Sequence, residues 1–105
     1  MALVAVAVPD LLLMSRMVEP LVAVGHETVT GPLPGVAEGA DLIVCDLDEV
    51  DPREVAALGI PSIGFFSHLE PETGSRARDA GLDFVVPRSR AARELPVLVD
   101  RLLTS

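Results

Sequence analysis

Asp41-Leu42-Ile43-Val44-Cys45-Asp46 sets an unbroken apolar run between two carboxylates. A run this short has strand length, and with no polar residue at alternate positions it predicts a strand buried on both faces. The pattern recurs outward from it. Ala2 to Val8 is a further aliphatic run, Ile60 to Phe66 reads as a fourth strand, and His26 to Thr30 and Asp83 to Val86 read as shorter ones. Between them lie helical segments with their own punctuation. Asp10 is an N-cap for a helix over Leu11 to Val24 that Gly25 stops, and Pro20 inside it predicts a kink or an early end. Asp51-Pro52 opens a short helix that ends at Gly59, and Glu70 to Ala80 is a helix stopped by Gly81. The tail from Ser89 to Leu103 is helical, interrupted or begun afresh at Pro96. Strands alternating with helices in this way predict a three-layer α/β domain on a parallel sheet.

The right-handed crossover rule favours a doubly wound, flavodoxin-like sheet of order 2-1-3-4-5. One connection is short. Gly31 to Ala40 joins the second and third strands, whereas a crossover with its helix needs at least about 10–12 residues. The second helix is therefore expected to be lost, or reduced to a turn around Val36 to Glu38. That would leave part of one sheet face thinly covered, with room for a partner. The apolar arc of the first helix (Leu11, Leu12, Leu13, Met14, Met17, Val18, Leu21) is read as core.

Composition narrows function. Residues 1–105 suit one domain without a separate output domain. The formal charge is -8, from 16 carboxylates against 8 arginines and no lysine. Residues 1–52 hold nine acids against Arg16 alone, so the net charge lies in the first half. That half repels a phosphate backbone, and no basic stripe or nucleic-acid module follows, so no nucleic-acid partner is expected. Schiff-base and phosphate-loop lysine chemistry are excluded. No apolar run reaches the ~18–20 residues of a membrane helix, and no basic stretch precedes the first one as in a signal peptide. A lone Cys45 excludes an internal disulfide, and the expected location is the cytoplasm.

In open parallel sheets, ligands bind beyond the carboxyl ends of the strands, near the switch point between the first and third. Those ends are Pro9-Asp10 and Asp46-Leu47-Asp48. Asp10 and Asp46 are read as a converging pair, which a hard cation such as Mg²⁺ or Ca²⁺ would relieve. Asp48, Glu49 and Asp51 are read as loop and capping residues. The turn Val8-Pro9-Asp10-Leu11 lacks the glycines and hydroxyls that cradle a phosphate, and no Gly-x-Ser-x-Gly elbow or paired histidine appears. Cys45 reads as a buried structural thiol, and His68 as a polar residue at the site rim.

Four fragments in order then carry a resemblance: Gly25-His26-Glu27, the run 41–46, Ile60-Pro61-Ser62-Ile63 and Ala80-Gly81-Leu82-Asp83. Over almost its full length the chain resembles a response-regulator receiver domain (CheY-like). The resemblance implies Asp46 as phosphoacceptor, with Mg²⁺ held by Asp10, Asp46 and the Asp48 backbone carbonyl. It departs from the family where one of two metal acids is missing beside Asp10. Phe66 stands at the usual hydroxyl position, with Ser67 one place later. Arg88 replaces the lysine, Ser89 the proline after it, and Val85 the aromatic switch.

Phosphoryl transfer to a carboxylate is mostly positioning and charge neutralisation, so these losses predict a degenerate pseudo-receiver with at most weak Mg²⁺ binding. The expected function is a stand-alone signalling module, not an enzyme, that acts through protein contacts. An alternative is an active Mg²⁺-dependent acceptor in a two-component phosphorelay, and another a small-ligand-binding flavodoxin-like protein using the acidic rim. The partner is expected to be a kinase or a downstream regulator. The face carrying Arg76, Arg78, Arg88, Arg90 and Arg93 is read either as a partner or homodimer surface or as a solvated face of ion pairs.

Overall fold

The computed structural model describes residues 2–67 and 71–104, with Pro71 described by its backbone alone. Strands β1 (Leu3–Ala7), β2 (Glu27–Thr30), β3 (Leu42–Asp46), β4 (Ser62–Phe66) and β5 (Phe84–Pro87) form one parallel sheet. Its order is β2-β1-β3-β4-β5, as expected. Four helices, α1 (Leu11–Ala23), α2 (Pro52–Ala57), α3 (Pro71–Ala80) and α4 (Arg88–Thr104), cover the two faces. The connection between β2 and β3 keeps only a 3-10 turn, Gly35–Ala37. The expected start of α3 at Glu70, and His68, lie outside the described residues.

Alternation along each strand divides the core. Val4, Val6, Val44, Ile63 and Phe65 face α1 and α4, where they meet Met17, Leu21, Ala91, Leu95 and Val99. Ala5, Ala7, Ile43 and Cys45 face the other way, toward Ala37, Val55 and Ala77. Each large side chain buried in the first cluster contributes roughly 1.5–3 kcal/mol by leaving water.

The second face is not bare, which corrects the expectation of thin cover. Ala5 and Ala7 are only 0% and 3% exposed. β1 turns alanines to this side and valines to the other, so a 3-10 turn with Leu33, Val36 and Ala40 lies close enough to seal it.

The prolines do not break their helices either. α1 runs through Pro20 and α4 through Pro96. A proline inside a helix costs about 3 kcal/mol, from a missing hydrogen bond and a clash with the carbonyl four residues back. Met17 and Leu21 flank Pro20, and Leu95 and Leu98 flank Pro96, all buried on the sheet. Their packing outweighs that cost. A second correction concerns Leu11 and Leu12, which lie outside the core at 73% and 79% exposure. They lie on the helix faces of the exposed Ser15, Arg16, Glu19 and Val22, turned away from the Met17–Leu21 side that meets the sheet. Leu13 and Met14 of the same turn pack on the core.

The amino end of the sheet explains three of the sequence fragments as structure. Gly25 and Gly81 leave their helices at φ 96° and 108°, a backbone region in which a side chain is strained. The next turn then places a polar group on a neighbouring strand. His26 Nδ1 accepts from the Ala2 N–H at 3.1 Å, and Asp83 Oδ2 from the Ser62 N–H at 2.9 Å. Asp41 Oδ2 likewise accepts from the Leu3 N–H at 2.9 Å.

Cys45 sits at the middle of this fold with 0% exposure. Burial, helped by the adjacent Asp46 charge, pushes its thiol from 9.0 up to about 12. The native thiol is therefore expected to be silent toward a thiol reagent at pH 8, reacting only as fast as the chain unfolds. Rapid labelling without denaturant would contradict this placement.

Candidate functional site

The parallel register brings the carboxyl ends of β3, β4 and β5 to one edge, where Asp46 pairs with Phe65 across β3 and β4. The Leu47 N–H donates to the Phe65 carbonyl at 2.8 Å, and the Glu49 and Val50 N–H groups fold back onto the Asp46 carbonyl at 3.1 and 3.0 Å. Within this turn Asp46 Oδ1 accepts the Asp48 N–H at 3.0 Å. The acid that ends β3 thus fastens its own loop, as Asp side chains commonly do in turns.

Asp48 carries the site outward. Its Oδ2 accepts from the Ser67 N–H at 3.1 Å and from Arg88 Nη2 at 3.0 Å. The same Nη2 lies 3.6 Å from Asp46 Oδ2, which makes one guanidinium the counter-ion of both acids. Asp46 is buried at 2% exposure, whereas the Arg88 side chain is 44% exposed. The cation therefore closes a buried negative site from the water side.

Burial is the main influence on Asp46 and raises its carboxyl above the ordinary value. The Asp48 N–H opposes that rise, the Asp48 charge adds to it, Arg88 opposes it, and Glu49 adds to it more weakly.

Of the residues singled out in the sequence, Asp46, Asp48, Ser67 and Arg88 come together. Ser67 contributes its backbone N–H, and Asp48 its carboxylate, where a backbone carbonyl was expected to matter. Asp10 is exposed and caps α1, its Oδ1 accepting from the Leu13 N–H at 3.0 Å. Asp51 caps α2 and binds Arg53, whose guanidinium is the first cause of its lowered carboxyl. Phe66 packs in the second core cluster, its ring against Gly74 of α3. Val85 is half-buried in the same cluster.

The expected Mg²⁺ set does not fit these placements. Asp10 is engaged in capping, while Asp46 and Asp48 face Arg88. Among the described residues, no three acidic, histidine or cysteine side chains gather in a set that could hold a metal ion. The Arg88 guanidinium offsets one of the two carboxylate charges and lies against an oxygen of each acid, so it would repel a divalent ion at those same oxygens.

The strand order and layering define a receiver-type α/β fold. No family model and no curated protein matches the chain. Among solved structures it is similar to a response regulator receiver domain protein from Clostridium thermocellum, with a TM-score of 0.85, 15% identity, and 99% of this chain and 95% of that one covered. The receiver domain of NtrX from Brucella abortus is similar at a TM-score of 0.82 and 19% identity, covering 97% and 98% of the two chains. NtrX from the same organism in complex with ADP aligns at a TM-score of 0.85 and 18% identity over 98% of this chain. Of that longer NtrX chain only 26% is spanned. These likenesses show the fold. Among the described residues, no helix is long and apolar enough to cross a membrane.

Proposed function

We propose that this chain is a receiver-like signalling module that acts through protein contacts and is not phosphorylated in the usual way. The observation that carries the reading is the Arg88 guanidinium held between Asp46 and Asp48. A phosphorylated aspartate needs a metal and a cation arranged around the incoming phosphoryl group. Here a single guanidinium nitrogen, Nη2, faces both acids and so favours one state of the site. Coupling to a switch through a hydroxyl and an aromatic ring has no counterpart in Phe66 and Val85. No catalytic turnover is assigned.

The contact surface proposed for a kinase or downstream regulator is the α3–β5–α4 face. Arg90 is paired there with Glu94 at 3.4 Å, while Arg76, Arg78 and Arg93 form no ion pair among the described residues. Unpaired arginines favour an interface with an acidic partner. The test of the reading is whether a small acyl phosphate with Mg²⁺ adds a phosphoryl group to Asp46, and none is expected.

A further inference from the structure

Arg16 is the single basic residue among residues 1–52, in the company of nine acids. It nevertheless forms no ion pair among the described residues. It sits on α1 beside a cavity of about 350 Å³ between α1 and the start of α4. Arg88, Ser67 and Ser89 also line that cavity, with Leu13 and Met17 among its apolar wall. Two guanidinium groups line this one cavity, and only Arg88 has acids beside it, so an anion in the cavity would supply the counter-charge that Arg16 lacks. The start of α4 adds its partial positive charge, and its first turn holds no acid to cancel it. Both contacts from Arg88 to the acids use Nη2, and a guanidinium carries further N–H donors.

We propose that this cavity binds the phosphoryl group of a small phosphate monoester, with Arg16 and Arg88 as its paired donors. Bidentate contact with a dianion suits two arginines better than a single carboxylate would. The volume is near the lower end of ligand sites, about 300–1,000 Å³, which fits a phosphoryl group and a compact organic remainder. That remainder would rest on Leu13 and Met17. Occupation would add a third anion to Arg88, beside Asp46 and Asp48, and so tie the ligand to that cluster without any covalent step.

The test is an amide NMR titration with phenyl phosphate, inorganic phosphate and acetate at constant ionic strength. Phenyl phosphate is expected to give saturable shifts at residues 13–17 and 89–92, and to bind more tightly than inorganic phosphate. Arg16→Gln should weaken it about tenfold or more, equivalent to at least about 1.4 kcal/mol, with Arg16→Lys intermediate. Shifts matched by acetate, or an unchanged affinity in Arg16→Gln, would overturn the site. Equal affinity for the two phosphates would overturn the monoester assignment. Asp46→Asn leaves both arginines in place, so this result and the phosphorylation result are read separately.

Discussion

Gly64→Ala is expected to lower the unfolding free energy by about 2–3 kcal/mol, the upper part of the range for overpacking a dense core. Gly64 lies at the centre of β4, and a Cβ there would meet Leu47 Cδ1 at 2.6 Å, Leu47 Cγ at 2.7 Å and Leu82 Cδ2 at 2.8 Å. Cγ is not the free end of a flexible chain, and both leucines are buried at 6% exposure. Relief would have to come from Leu47, which follows Asp46 directly, so the loop that orients the acids would move as well. Urea denaturation checks this as a lower midpoint with an unchanged slope. A loss below about 0.5 kcal/mol, within the ordinary scatter of neutral substitutions, would show that the β3–β4 surface is looser than described.

Arg88→Met is expected to cost about 1–2 kcal/mol at neutral pH, less than a fully buried pair because half the guanidinium meets water. The substitution keeps the apolar stem and leaves Asp46 and Asp48 without a cation. Asp46→Asn should act in the opposite sense and raise the midpoint by about 4–8 °C, the equivalent of about 1 kcal/mol in a domain of this size. The pH dependence follows from the direction of the Asp46 shift. Its carboxyl binds a proton more tightly folded than unfolded, so its contribution is fullest below the ordinary carboxylate value. That contribution is lost as pH rises through the folded value. Arg88→Met should widen the window upward, and Asp46→Asn should remove it. Thermal melts from pH 4 to pH 8 read both. Equal slopes in parent and Asp46→Asn would mean that the buried charge carries no such penalty.

Much of the fold was legible because strand burial and helix punctuation are local. The run 41–46, flanked by acids, contains its own strand length, and the alternation around it leaves few parallel arrangements. The uninterrupted passage of α1 through Pro20 was not legible, since it depends on Met17 and Leu21 both landing on the sheet. The sealing of the second face was also hidden, although Ala5 and Ala7 alternating with Val4 and Val6 carried the signal. Leu11 and Leu12 misled because a run of four apolar residues spans more of the helix than its core stripe, and only Leu13 and Met14 fall on the side of Met17 and Leu21.

At the site, the strand ends and the resemblance together placed Asp46 near Arg88. The side-chain role of Asp48 was missed, because a loop acid two residues past a strand has no distinctive pattern. Its spacing from Asp46 did permit the turn that now aims its carboxylate at Ser67 and Arg88. Arg16 was visible as an isolated cation in an acidic half, but only the α1–α4 packing sets it beside a cavity with Arg88.

The central claim is that Arg88 holds Asp46 and Asp48 in a state that does not accept a phosphoryl group. Intact mass after incubation with acetyl phosphate and Mg²⁺, beside Asp46→Asn, tests it most directly. The account predicts an unmodified parent chain under conditions that fully label an active receiver in the same tube. A phosphoryl adduct on the parent that vanishes in Asp46→Asn would contradict it and make Asp46 a working switch.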